Sequence, residues 1–470
     1  MSRSVIAGVI LGMTATTMQA ATLEEVIAEG LSESPEITRA VNARNSIYQE
    51  IAQAKSGYFP KIDVEAGIGY EWTNNSTTRA NDGDVELTRG EARLSLRQML
   101  FDGFATSSEV ERHKARANSA DRRLEDVAEN FILEASRAYV EVNRRRELLR
   151  LTKENLYNHV KIYDQIKRRS ESGLGALASI EQAEGRLALA EVNVLAEENN
   201  LLDAEANYFR VLGSKAPADL EYPALADKAD QEIPESLEAA KKIAFENHPT
   251  LQVAVADAEA AIAQYNAAKR NYYPRVDLEI DRTWNNDIDG VNGTNEDLTA
   301  MIRMRYNLYN GGGDKARVRE TQYQIEEARS IHKNTRREVI QSLELSWNAH
   351  QILTRQVPFL EQHVLSSTST RDSYQKQFNI GQRSLLDLLD TENEVFSSKI
   401  DLSNTQHDHL ITHFRMLDGM GLLLDALELV MPEPNLGDVE NFTTDVVILD
   451  PETAMEKNKA QLQDKANKGT

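Results

Sequence analysis

The chain has 470 residues, a formal net charge of −22 and a mean hydropathy of −0.51, and it contains no cysteine. These values exclude disulfides, thiolate chemistry and a lipid-anchored N-terminal Cys, and they argue against nucleic acid, whose binders present a basic face. Beyond the N-terminus no apolar run approaches the roughly 18 residues of a membrane-spanning helix, which leaves a β-barrel, with its weaker alternating signal, as the membrane option.

Arg3, an apolar stretch from Val5 to Met13 and small residues up to Ala20–Ala21 read as a secretory signal peptide over residues 1–21. Beyond residue 21 the chain states one unit twice. Leu23, Pro35, Lys55, Tyr58 and Pro60 recur 214 residues later as Leu237, Pro249, Lys269, Tyr272 and Pro274. Past a polar loop the offset becomes 208: Leu100–Phe101–Asp102–Gly103 matches Leu308–Tyr309–Asn310–Gly311, Tyr139 matches Trp347, Gly173 matches Gly381 and Gly213 matches Gly421. A length change confined to a loop between alternating segments is what a duplicated architecture tolerates. The predicted organisation is repeat 1 over 22–213, a Pro-containing linker over 214–236, repeat 2 over 237–430 and a polar tail over 431–470.

Each repeat opens on helix and reaches an aromatic–Pro stop, Tyr58–Phe59–Pro60 or Tyr272–Tyr273–Pro274, where Pro forces a change to extended geometry. The period then becomes two. Ile62, Val64, Ala66, Ile68, Tyr70 and Trp72 alternate with Asp63, Glu65 and Glu71, and Val276, Leu278 and Ile280 alternate with Asp277, Glu279 and Asp281. The return strands do the same, giving hairpins over 61–100 and 275–308 with polar loops at Thr73–Val85 and Asn285–Asp297. One apolar face bearing Tyr70, Trp72, Trp284 and Tyr306 fits a membrane interface, and the strand lengths fit a tilted crossing of about 9–11 residues. Four strands cannot close a barrel, so the barrel must be shared between chains.

Helical hairpins are predicted over 104–213 and 312–421. From Thr106 to about Glu171 no Pro intervenes, and Leu124, Phe131, Ala135, Ala138, Val142 and Leu149 keep three-to-four spacing along a seam typical of coiled-coil packing. Pro358 falls inside the second long helix, so a kink or break is expected there. Gly311–Gly312–Gly313 lacks the Lys–Ser/Thr of a phosphate loop. His407, His409 and His413 invite a metal reading, yet spacing reveals no third ligand beside the 409/413 pair, so a solvated helix face and no metal or cofactor are expected. No spacing supports a catalytic triad or paired carboxylates, so no enzyme is expected.

The signal peptide, the duplicated order of short helix, strand, loop, strand and long helical hairpin, and the repeated L-[FY]-[DN]-G turn together resemble the TolC family of outer-membrane channel proteins over about Thr22 to Val430. The Leu100–Phe101–Asp102–Gly103–Phe104 segment and Gly173-x3-Leu177 resemble its type I secretion members, especially the LapE/AggA-like branch serving large adhesins. The resemblance implies a homotrimer with a shared twelve-stranded barrel in outer-membrane lipid and a helical tunnel in the periplasm. It implies an inner-membrane ABC transporter, a periplasmic adaptor and a secreted protein cargo as partners, with a drug or metal efflux pump as the alternative. Family gate carboxylates fall on Asp387 and Asp390, and a family arginine that ties hairpins shut falls on Arg383. Asp is equally favoured at a helix start, where it would be a solvated cap. The sequence departs from the family pattern at Ala178, Ser179 and Phe378, where polar, acidic or tyrosine partners of that arginine are usual, so the latch is differently wired or weaker. Gly173, Leu177, Gly381 and Leu385, at the hairpin tips, are the expected adaptor contacts.

Overall fold

Capping chemistry sets the first elements of each repeat. In a computed structural model, which describes residues 21–80, 83–172, 177–222 and 233–431, Thr22 and Glu25 form a capping box that starts α1 (Leu23–Glu33). Ser34 caps α2 (Pro35–Lys55), where Pro at the first helical position costs no hydrogen bond. The predicted signal peptide up to Ala20, the central linker residues 223–232 and the tail past 431 lie outside the described residues.

The chain then turns extended. Strand β1 (Lys61–Thr73) leads through a short helix α3 (Ser76–Ala80) to β2 (Val85–Phe101), and α4 (Ala105–Glu171) and α5 (Leu177–Leu212) follow as an antiparallel hairpin. The second repeat supplies α6 (Leu237–Asn247), α7 (Pro249–Ala268), β3 (Arg275–Ile288), β4 (Val291–Arg305), α8 (Gly313–Asn379), α9 (Leu385–Met420) and a single turn α10 (Leu423–Ala426). Both ends of α4 and of α5 lie 208 residues before the corresponding ends of α8 and α9. The 67-residue helices α4 and α8 are each about 100 Å long at 1.5 Å per residue.

Two expectations are corrected here. The polar run Asn285–Asp297 is not a loop: the β3–β4 ladder continues from Arg275↔Arg305 to Ile288↔Val291, and Asp289–Gly290 make the turn with φ of 57° and 77°. Positive φ at both central positions matches the right-handed twist of the strands, and Asp-Gly supplies it cheaply. Helix α8 also runs unbroken through Pro358, so the local break does not occur. Pro358 is exposed, where water can satisfy the carbonyl that the missing N–H leaves unpaired.

The four strands form one antiparallel sheet in the order β1-β2-β3-β4. Because side chains alternate, its two faces differ, although the Arg282–Glu296 ion pair interrupts the apolar one. One carries Val64, Ile68, Tyr70 and Trp72 of β1 with Leu298, Ile302 and Met304 of β4, all exposed. The other carries ion pairs that bridge strands: Arg93–Asp281 at 2.7 Å, Arg97–Glu279 at 3.3 Å, Arg303–Glu279 at 2.7 Å and Arg305–Asp277 at 2.8 Å. An exposed apolar face against a paired charged face is the arrangement of a barrel with lipid outside and water inside. Both outer strands, β1 and β4, leave their outward backbone groups unpaired within the chain.

The passage from sheet to helix is fixed by Gly103 and Phe104, both left-handed at φ 70° and 65°. A Cβ on Gly103 would lie 2.6 Å from the Arg270 carbonyl oxygen, so only glycine fits. Phe101, Phe104 and Tyr273 pack edge to face around this bend.

The main core lies midway along the long helices. There α1, α6 and the ends of α5 and α9 pack on α4 and α8 through Ile27, Ile132, Tyr139, Tyr208, Leu343 and Phe414. The Tyr139 hydroxyl donates to the Ala21 and Glu221 carbonyls (2.9 and 2.6 Å), tying the start of the linker to α4. Glu129 of α4 accepts the Leu423 and Leu424 N–H groups at 3.0 Å each, which seats α10 on the same core.

Candidate gate at the helical-hairpin tips

Far from the sheet, the tips of the two hairpins meet around a small apolar plug. Ile162 and Ile166 of α4, Ala183 of α5, Phe378 of α8 and Leu385, Leu388 and Leu389 of α9 are buried together. The turn that delivers the last three is set locally. Gly381 ends α8 at φ 79°, the Gln382 N–H returns to the Gln377 carbonyl at 2.9 Å, and Ser384 starts α9.

Asp387 completes a capping box with Ser384. The Ser384 hydroxyl accepts the Asp387 N–H at 3.1 Å, and the Asp387 carboxylate accepts the Ser384 N–H at 3.2 Å. Hydrogen bonding to the carboxylate from the Ser384 side chain and from its backbone N–H, and after these the Arg383 charge, hold the Asp387 carboxyl below the usual aspartate range. Asp387 is thus ionised and already committed to its own helix end. Asp390 is one turn further on and exposed, with Arg186 of α5 3.6 Å away.

Arg383 has different partners from those of a clasp between hairpins. It donates to the Gln377 side chain at 2.9 Å, lies 3.9 Å from Asp387 and stacks 4.2 Å from the Tyr374 ring centroid, all on its own hairpin. The cross-hairpin clasp is formed by other arginines. Arg169 of α4 donates to the Phe378 and Asn379 carbonyls at 3.1 and 3.0 Å and lies over the Phe378 ring at 4.4 Å. It thereby caps the carbonyl end of α8 from the neighbouring hairpin. Higher up, Lys399 of α9 pairs with Glu154 of α4 at 2.7 Å, and the buried Glu392 of α9 is held by Arg371 and Asn158, each at 3.3 Å.

The expected adaptor contacts separate. Leu177 is 70% exposed, whereas Leu385 is 8% exposed and turned into the plug. The capping box starts α9 one residue before Leu385 and aims that side chain at α4, so the apolar surface of the tip is carried by Leu177, Ile380 and Leu386 instead. Gly173 lies outside the described residues. Of the interface aromatics, Tyr70 and Trp72 are exposed near the end of β1, Tyr306 is exposed just past β4, and Trp284 sits deeper, opposite Ala92 and Glu296.

No helix among the described residues is long and apolar enough to cross a membrane. The family model described as "Outer membrane efflux protein" matches residues 26–214 and 242–416, one stretch in each repeat. The chain belongs to this family. Its place is the outer membrane, with the long helices on the periplasmic side.

Outer membrane efflux family relatives cover nearly the whole chain. "Outer membrane efflux protein BepC" of Brucella suis is 26% identical, over 89% of this chain and 90% of its own length. "Outer membrane protein TolC" of Escherichia coli is 24% identical over 93% and 90%, and "Alkaline protease secretion protein AprF" of Pseudomonas aeruginosa is 22% identical over 85% and 84%. The fold is that of the solved outer membrane protein VceC from Vibrio cholerae, with a TM-score of 0.72 at 17% identity, covering 85% of this chain and 96% of that one.

Proposed function

We propose that three copies of this chain form an outer-membrane exit duct for type I protein secretion. The carrying observation is the sheet: four strands with an apolar outer face, a charged inner face and two unpaired edges. Backbone groups at such edges have no partner in lipid, so the sheet is complete only when β4 of one chain pairs with β1 of the next. Two chains would bring eight strands and a lumen filled by side chains, whereas three bring twelve and leave a pore.

The duct performs no chemistry. Energy comes from an inner-membrane ABC transporter, relayed by a periplasmic adaptor that contacts the tips near Leu177 and Gly381. The tips hold the channel shut through the Arg169 clasp, the Arg186–Asp390 pair and the apolar plug, and Asp387 and Asp390 from three chains ring the constriction with carboxylates. Opening exchanges one packing of α8–α9 against α4–α5 for another, as packed bundles do. Secretion of a large polypeptide, an adhesin or other repeat protein, is favoured by the Leu100–Phe104 segment and by a relative named for protease secretion.

The second reading, an efflux duct for drugs or metals, is favoured by the efflux name of BepC. Quantitative proteomics of the cell surface and medium, comparing a deletion strain with its parent, separates the two. Loss of one or a few large repeat proteins with unchanged drug and metal tolerance supports the secretion duct. An unchanged secretome with lowered tolerance assigns the channel to efflux.

A further inference from the structure

The histidines of α9 acquire a third member that spacing alone did not reveal. His350 of α8 faces His409 and His413 of α9, and one ring nitrogen from each of the three lies within 4.8 Å of the others. The ring centroids stand 4.9 Å apart for 350–409, 4.5 Å for 350–413 and 4.9 Å for 409–413. His407, the remaining histidine of the sequence cluster, is not part of this group. It is bonded to the Ser403 carbonyl at 2.7 Å and packs edge-on against Tyr222.

We propose that His350, His409 and His413 bind one divalent transition-metal ion that prefers imidazole, such as zinc, copper or nickel, and so pin α8 to α9. Two histidines four apart share one helix face, and a third from the facing helix completes a three-point set. Three imidazoles with an open fourth position form a recognised donor set for this class of ion. Ring nitrogens on a tetrahedral ion at about 2.0–2.1 Å stand about 3.4 Å apart, so no pair needs to draw in by more than about 1.4 Å, within reach of side-chain rotation.

The scaffold is suited to this. His413 is buried and flanked by the fully buried Phe414, and His350 follows the buried Trp347 by three residues, so the donors sit where the hairpin is anchored in the main core. Thr354, one turn past His350, has its hydroxyl 2.9 Å from His409 Nε2 and is placed to orient that ring. A bound ion would oppose sliding of α8 along α9, whatever cargo the channel carries.

The test is calorimetric titration of zinc into the full-length channel, purified in detergent by a histidine-free tag and stripped with chelator. One ion per chain is expected at pH 7.5. His350→Gln and His409→Gln, both at half-buried positions, should each weaken binding by more than the roughly 10–100-fold that loss of a ligand-supporting group costs. His407→Gln should leave it unchanged. Zinc should also raise the unfolding temperature of the parent and not of His350→Gln, a comparison that stays valid if the variants differ in intrinsic stability. Absence of one-per-chain binding, or binding equal in parent and His350→Gln, overturns the proposal.

Discussion

Arg186 of α5 stands 3.6 Å from Asp390 of α9, the position that the family resemblance assigns to the gate. With Arg169 on the carbonyl end of α8, this pair ties the first hairpin to the second. Both groups of the Arg186–Asp390 pair are partly exposed, so screening limits one pair to at most about 1 kcal/mol. Three copies released together amount to about 0.6–3 kcal/mol, or roughly 3–100-fold in the open-to-closed ratio. Arg186→Glu should therefore raise open probability in planar bilayers by about that factor, and Asp390→Arg alongside it should reverse much of the change. Equal conductance in parent and Arg186→Glu would remove this pair from the gate.

The natural absence of cysteine makes the tip easy to map by single-cysteine labelling. Cysteines replacing Leu177 or Ile380 should react quickly with a water-soluble maleimide, while one replacing Leu385 should react at least tenfold more slowly, because Leu385 is 8% exposed and the other two about 70%. Adding Arg186→Glu should accelerate labelling at 385 and leave 177 unaffected. Comparable rates at all three positions in the parent would mean that the plug is not closed.

Glu129 gives the core a pH dependence. Burial pushes its carboxyl up to about 7, and Asp418 nearby is raised to about 6 by the same cause. A carboxyl whose folded-state pKa is raised contributes stability that is fully present below its unfolded value near 4.5 and is lost as pH rises through about 7. The shift corresponds to at most about 3 kcal/mol per chain. The unfolding temperature should fall between pH 5 and pH 8, and Glu129→Gln should flatten that slope. Parallel curves for parent and variant would exclude Glu129 as the origin.

The two faces of the sheet make opposite predictions for one residue type. Ile68 is 85% exposed on the apolar face, so Ile68→Arg should cost about 2–4 kcal/mol near the bilayer midplane and lower the yield of heat-modifiable oligomer in outer-membrane fractions. Glu65→Arg, on the charged face, should assemble close to normally. The reverse ranking would place lipid on the wrong side.

Much of this fold was legible because repetition, Pro–aromatic stops and a switch from period 3.6 to 2 are local signals. The helix pairs α4–α5 and α8–α9 followed from them, as did the apolar face of β1. The Asn285–Asp297 run was misread because Asn and Asp mark loops in general, whereas here the ladder supplies their backbone partners and Asp289–Gly290 alone makes the turn. Leu385 looked exposed because it adjoins a turn, but the Ser384 cap aims it inward. Arg169 with Phe378, Arg186 with Asp390 and His350 with His413 were not legible. Their partners lie 209, 204 and 63 residues apart in the chain, and only the packing of long helices brings them together.

The central claim is a barrel closed by pairing β4 of one chain with β1 of the next in a trimer. Within one chain these strands are three spacings apart, about 14 Å, beyond the roughly 7 Å that a disulfide spans. A cysteine replacing Val64 on β1, combined in turn with cysteines replacing Leu298, Ala300 or Ile302 on β4, should give on oxidation in outer membranes a covalent ladder of dimer and trimer that stops at three. A ladder stopping at two, or no cross-link between chains from any pair, would contradict the shared twelve-stranded barrel.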